Sequence, residues 1–490
     1  MADWFALSCK TKTYTDIGRS EKDSYIGKPR AMVPRLVFLR KGRYNKYNWR
    51  KKMKVRRQFV KYVSQNILGM VGVSLYILAD TFFISQAVGA DGITALNLVL
   101  PLYSFIFAIG QMIGVGSAIR FAVENGQGKK EKYPWFSNAL VWTTIFGAVF
   151  TVIGFLFPEQ IVALMGGDAT IVAVGAPYTR IFMSFSIFFM WNHVCNAFVR
   201  NDGAPTVAMA ATLLSSLFNI IFDYLLMYPF GMGMEGAALA TACSPIVGVL
   251  ICMVHILSKK STLHIRFVRP DLRGLWLSCQ VGVSAFVGEV SSGVTTFSFN
   301  YLILGLAGNT GVAAYGVVAN LAIVAVALFN GIAQGSQPLV SDYYGRNEQG
   351  LIRRVIRMGL WLSFVFAALI AVSMWWYAAP ITAIFNKADD PVLAMYAQEG
   401  LRLYMLGFFF AGCNMLGASV LSAMEEARAA FAASMLRGFV LILLCAFVLA
   451  ALFGMTGVWL AYPVAEALTL VVTFAGMRKA LRPGGKKNTY

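Results

Sequence analysis

The chain reads as an all-α polytopic membrane protein: twelve transmembrane helices arranged as two pseudo-symmetric six-helix bundles. Three observations predict this: a charge-poor composition, twelve apolar runs of membrane-crossing length, and a repeat that lays one half of the sequence on the other. Of 490 residues, 58% are hydrophobic and 13% charged. A soluble domain carries about 25% charged residues, so lipid is the expected solvent. A net charge of +19 would suggest nucleic acid in a soluble protein. Here the basic residues fall between the apolar runs, matching the anionic inner face of a membrane, and no nucleic-acid partner is expected. The 7 cysteines are scattered, with no CxxC pair, which implies neither a disulfide framework nor a zinc site.

A hydrocarbon core about 30 Å thick takes about 20 helical residues. The first run, 62–87, follows Lys54, Arg56 and Arg57. Runs 93–119 and 135–157 are joined across Arg120, Lys129, Lys130 and Lys132. Runs 171–198 and 206–229 meet across Arg200, and 236–257 leads into Lys259, Lys260, Arg266, Arg269 and Arg273. Runs 277–304 and 310–334 precede Arg346, Arg353, Arg354 and Arg357. Runs 357–379 and 395–422 are followed by Arg428. After 430–453 and 457–477 come Arg478, Lys479, Arg482, Lys486 and Lys487. The alternate connections hold Asp91, Glu159, Asp168, Glu235, Asp389 and Asp390, with Lys387 as their single basic residue. This positive-inside pattern predicts a multi-pass protein of the cytoplasmic (inner) membrane with both termini cytoplasmic.

The expected organisation is a basic, structureless extension over 1–57, a first lobe over 58–258, a cytoplasmic inter-lobe loop over 259–274, a second lobe over 275–478 and a basic tail over 479–490. The extension lacks the apolar core of a signal peptide. Met53, followed by Lys54, Arg56, Arg57 and the first run, reads as a natural start, so 1–52 are expected to be an addition ahead of it. A basic arm on anionic lipid is the alternative.

The repeat is explicit. Gly89, Gly92, Ala95, Leu102, Gly116 and Gly126 recur 219 residues on as Gly308, Gly311, Ala314, Leu321, Gly335 and Gly345. Gly233, Gly236, Leu239 and Ala240 recur 221 residues on as Gly454, Gly457, Leu460 and Ala461. Arg180 and Asn192 match Arg402 and Asn414 at a displacement of 222. Six spans is an even number, so the halves enter from the same side as parallel repeats around a central cleft. A receptor or scaffold has no need of this symmetry.

An ionisable group at mid-bilayer costs about 2.5–3.5 kcal/mol on insertion scales and so calls for a reason. Asp80 lies deep in the first span; Asn219 and Asp223 share a helix face of the fifth at i, i+4; Thr241 opens the sixth. Together they form an oxygen-rich set for Na⁺ or a proton, unless Asp80 and Asp223 instead pair with Arg180 or cap helix breaks. Glu289 and Glu466, with Asn192, Asn196, Asn300 and Asn414, are candidate accessory or substrate contacts. Arg180, Arg402 and Arg437 are expected to snorkel or bond between helices. The clusters Phe182-Met183-Ser184-Phe185 and Phe408-Phe409-Phe410 could line a cleft for flat organic cations or simply pack. There is no GxxxxGK[ST], HExxH or nucleophile elbow, so neither direct ATP drive nor an enzyme is expected.

The stretches Ala79-Asp80-Thr81-Phe82-Phe83-Ile84, Arg200-Asn201-Asp202-Gly203-Ala204-Pro205, Asn219 to Leu226, Gly236 to Thr241 and Gln337-Pro338-Leu339-Val340-Ser341 together resemble the multidrug and toxic compound extrusion (MATE) transporters, in a prokaryotic form. The resemblance implies a V-shaped pair of bundles that exports cationic drugs or metabolites in exchange for Na⁺ or H⁺. No cofactor is implied beyond that ion; the partners are small organic cations and membrane lipids, and a monomer suffices. It also implies a first-half cation site at Asp80, Asn219, Asp223 and Thr241. The tenth span carries Asn414 where some members have a carboxylate, and Glu289 lies about one turn from their seventh-span acid. A flippase for a lipid-linked sugar is one alternative, disfavoured by the few arginines in the spans. A non-transporting scaffold or receptor is the other.

Overall fold

A computed structural model describes residues 34–129, 133–386 and 389–482, all of whose regular elements are helical apart from short turns. Residues 1–33, Lys130, Lys132, Lys387 and the tail beyond 482, with Lys486 and Lys487, lie outside the described residues. Met1–Met53 clusters as one unit and Lys54–Tyr490 as the other. Of the extension, residues 34–57 form the first part of the helix Pro34–Ala87. Lys and Arg are good helix formers, and the proline stands at the first position, where it is tolerated.

The spans are α1 (Pro34–Ala87, apolar from Met53), α2 (Ala90–Gln127), α3 (Trp135–Leu156), α4 (Ala169–Ser184 and Ser186–Asn201, bent by 49°), α5 (Pro205–Met227) and α6 (Gly233–Ile256). A short connecting helix, Pro158–Leu164, separates α3 from α4. The next helical stretch spans Leu272–Gly345, 74 residues. At 1.5 Å per residue that is about 110 Å, more than three bilayer cores. The answer is Gly308, whose φ of 60° and ψ of −156° break it into α7 (272–307) and α8 (309–345). After α9 (Gln349–Phe385) and α10 (Pro391–Ala423), Gly454 breaks the last apolar stretch, Ala427–Ala480, into α11 (427–453) and α12 (455–480). Counted this way, the described residues make the twelve crossings that the sequence predicts.

The repeat is written in the backbone. Gly89 (φ 81°, ψ −153°) and Gly308 (φ 60°, ψ −156°), 219 residues apart, make the same turn. Gly233 and Gly454, 221 apart, both have positive φ, at 51° and 60°. With extended ψ, as at Gly89, Gly308 and Gly454, that region is open essentially to glycine alone, so the sharp turns between spans 1 and 2, 7 and 8, and 11 and 12 are specified by single residues.

Each half has its own apolar core. One gathers Ile106, Phe182, Phe198 and Ala237 of α2, α4 and α6; the other gathers Phe299, Phe329, Phe408 and Trp459 of α7, α8, α10 and α12. The seam between halves is built by repeat glycines. A Cβ at Gly116 would lie 2.0 Å from the Ser278 carbonyl oxygen, and one at Gly282 would lie 1.9 Å from that of Met112, so α2 and α7 touch main chain to main chain. The symmetry mate of that contact is α8 on α1, where a Cβ at Gly335 would lie 2.7 Å from Val63 Cα. Gly126 and Gly345, the next repeat pair, bring the ends of α2 and α8 together, with a Gly345 Cβ only 2.3 Å from the Val123 oxygen. Such close backbone approach is what small residues supply between membrane helices.

The same end of the bundle carries the polar links between halves. Ser117 donates to Ser278 at 2.8 Å, Arg200 to Gln334 at 2.9 Å, and Asn201 and Gln337 bond each other. The connection between halves is strapped to the first. Asp202 accepts from His255 Nε2 at 2.8 Å, from Ser261 Oγ at 3.1 Å and from the Thr262 amide at 3.1 Å. Farther along, Asp271 is bonded by Tyr133 and takes an amide hydrogen bond from Arg273.

A carboxylate pair in the first half

The first-half candidates converge. Asp80 of α1, Asn219 and Asp223 of α5 and Thr241 of α6 come together, with Asp80 8% exposed and Asn219 and Asp223 fully buried. One turn of α5 separates Asn219 from Asp223, so both face the same neighbours. Asn219 Nδ2 donates to Thr241 Oγ1 at 3.2 Å, and the carboxyls of Asp80 and Asp223 are adjacent. Asp80 Oδ1, Asn219 Oδ1 and both Asp223 oxygens are buried without a hydrogen-bond partner among the described residues. No ion pair there involves either aspartate, and Arg180, the sequence's alternative partner for them, is exposed. Unsatisfied buried carboxyl oxygens are costly.

Four residues around this pair escaped the sequence reading. Tyr76 of α1 lies near Asp80, Asp223 and Glu289; Tyr178 lies against Thr241; Tyr103 and Thr179 are neighbours. Tyr103, Tyr178 and Thr179 are buried, and the hydroxyls of Tyr103 and Thr179 have no partner among the described residues. Tyrosine and threonine count as near-neutral in an apolar run, so hydropathy passes over them. The one available signal was Tyr178-Thr179 directly after Pro177 inside a span.

The second half is arranged differently. Glu466 is 2% exposed, yet both its oxygens are engaged: Arg437 Nε donates to Oε1 at 2.7 Å and Asn414 Nδ2 to Oε2 at 2.7 Å. Asn414 also donates to the Glu466 carbonyl at 2.8 Å. Arg437 thus bonds between helices, as expected, while Arg402 stacks over Trp375 at 5.7 Å. Glu289 stands apart from this network and reaches across the halves, where Gln111 Nε2 donates to its Oε2 at 3.0 Å. Asn196 donates to Asn192 at 3.0 Å within α4 and accepts from Thr212 of α5, and Asn300 is half-buried on α7. Phe182 and Phe408 pack in the cores of their respective halves.

The MatE family profile matches residues 66–225 and 286–448, one block in each half. The chain belongs to the MatE family. The blocks of the MatE match contain Asp80, Asn219 and Asp223, and also Glu289, Asn414 and Arg437, but stop short of Thr241 and Glu466. Among relatives, the multidrug export protein MepA of Staphylococcus saprophyticus is 25% identical over 405 residues, spanning 82% of this chain and 89% of its own. MepA of Staphylococcus aureus is similar to the same extent, 25% over 405 residues. An outward-facing multidrug resistance MATE family transporter of the MOP superfamily has the same fold, with a TM-score of 0.81 and 21% identity over 87% of this chain and 96% of that one. So does the MATE transporter VcmN of Vibrio cholerae, with a TM-score of 0.81 and 20% identity over 88% and 98%. This MatE-family chain is therefore a multi-pass membrane protein of a transporter family.

Proposed function

We propose that the chain is an exporter of small organic cations, driven by the return of Na⁺ or H⁺ through the first-half pair Asp80/Asp223. The observation that carries this reading is the contrast between halves. Glu466 is neutralised by Arg437, whereas Asp80 and Asp223 lie side by side with carboxyl oxygens that take no hydrogen bond and no ion pair among the described residues. One shared proton, or one hard cation held by the carboxyls with Asn219 and Thr241, neutralises the pair. Either ligand binds only where these groups converge, so it biases whichever conformation brings α1, α5 and α6 together, and that differential affinity is the coupling. The MepA relatives are multidrug export proteins, which supports an organic substrate. The basic loops support a reading in which the seam end of the bundle faces the cytoplasm, in a cytoplasmic membrane with both termini inside.

The test is ethidium movement in proteoliposomes under an imposed Na⁺ or H⁺ gradient. Wild type moves ethidium uphill under one of the two gradients, which names the ion. Asp223→Asn and Asp80→Asn abolish uphill movement while ethidium binding persists. Uphill transport by Asp223→Asn at the wild-type rate would falsify the assignment.

A further inference from the structure

The motif Arg200 to Pro205 supplies the starting point, because its turn has a repeat mate. In the first half Asp202 N donates to the Phe198 carbonyl and Ala204 N to that of Val199. In the second, 222 residues on, Met424 N donates to the Val420 carbonyl and Glu426 N to that of Leu421. The two turns share this pair of bonds. Their central residues both take the left-handed conformation, Gly203 at φ 89° and Glu425 at φ 59°. Glycine does this without steric conflict, whereas a glutamate Cβ crowds its own carbonyl. A strained residue where the other half uses glycine points to what its side chain does.

The Glu425 side chain crosses the seam. Its Oε1 lies 2.9 Å from Arg120 Nη1, with the two side chains 20% and 14% exposed. Arg120 is on α2, one turn beyond Gly116 and Ser117, the residues that meet Ser278 of α7. Tyr344 at the end of α8 faces the same pair. Glu124 stands one turn along α2 and places a second negative charge near Glu425, so removal of Arg120 turns attraction into repulsion. A glycine at 425 would keep the turn and lose the contact.

We infer that Glu425 is a positioning residue of the transport cycle: a strained turn presents its carboxylate to Arg120, and this pair latches the two halves together at the mouth of the glycine seam. The inference rests on the transport reading above but not on which ion drives it.

The experiment uses the full chain in nanodiscs, free of native cysteines and carrying Ser278→Cys as a reporter buried in the seam, with its labelling by a charged maleimide timed. Glu425→Gln speeds labelling about tenfold, the loss of one charged hydrogen bond, and Arg120→Glu speeds it further, because it sets a third negative charge beside Glu425 and Glu124. The charge-reversed double variant, Arg120→Glu with Glu425→Arg, returns to the parent rate. Glu425→Gly labels as fast as Glu425→Gln but unfolds at a higher temperature, because it sheds the strain and the latch together. Parent-rate labelling in Glu425→Gln, or a double variant as fast as the singles, overturns the latch. An unfolding temperature for Glu425→Gly below that of Glu425→Gln overturns the strain argument. No gradient or drug is present, so failure here leaves the ethidium experiment standing, and failure there leaves this one.

Discussion

Substituting Gly282 by alanine puts a methyl group where the structure leaves no room. Its Cβ would sit 1.9 Å from the Met112 carbonyl oxygen and 2.8 Å from the carbonyl carbon. Ordinary contact begins at 3.4 Å, so α2 and α7 must part by about 1.5 Å along that line. The obstacle is main chain inside a helix and cannot rotate away. Overpacking of this kind costs about 1–3 kcal/mol. Alanine also gains about 1 kcal/mol of helix propensity, but it gains this whether the seam is open or closed, so the term drops out of the equilibrium. What remains moves the closed-to-open ratio about 5- to 150-fold towards open. The assay is a spin-label distance between Lys260, in the connection strapped to the first half, and Arg357, on α9, both exposed. A longer-distance population should grow in Gly282→Ala and stay flat in Gly288→Ala, which lies on the same helix with nothing within 4 Å of its Cβ. Superimposable distributions for the two variants would refute the reading of this contact as the seam.

Three further outcomes are expected. Arg437→Met leaves the Glu466 carboxylate buried and unpaired, and should cost about 3–5 kcal/mol in thermal unfolding; adding Glu466→Gln should recover most of it, and no recovery would contradict the pairing. Gly308→Ala forces an L residue to φ 60°, ψ −156° and should cost about 1–3 kcal/mol, whereas Gly305→Ala, with open space at its Cβ, should be tolerated in the same unfolding assay. The Tyr133 hydroxyl, bonded to Asp271, holds that carboxyl below the usual aspartate range. A depressed folded-state value contributes stability that is full above the unfolded value of about 4 and is lost as pH falls through the folded value. Tyr133→Phe should therefore lower the unfolding temperature at pH 7, with the deficit shrinking in acid; a deficit independent of pH would count against the bond.

The basis of the proposed latch also shows how far a pattern can be followed. The sequence displays the match of Arg180 and Asn192 with Arg402 and Asn414, and hence the displacement of 222, but nothing in it distinguishes Glu425 from any other loop acid. Its importance depends on a backbone angle and on Arg120, some 300 residues away in the chain, and both are set by packing.

Taken alone, the sequence determined the twelve crossings, the two six-helix halves and the four oxygen-bearing residues Asp80, Asn219, Asp223 and Thr241. Those properties are local or periodic: a span is a length of apolar chain, a repeat is a fixed displacement, and a polar group in lipid is conspicuous where it stands. Tertiary structure alone decided which acid is paired. Glu466 and Asp223 look alike in an apolar run, yet one meets Arg437 and Asn414 and the other meets Asp80. It decided as well that Tyr103, Tyr178 and Thr179 surround the carboxylate pair, and that the repeated glycines Gly116, Gly126, Gly335 and Gly345 are where the halves touch. Partner choice across a bundle depends on helix rotation and depth, which no single segment encodes; only the packing of every helix against the others sets them.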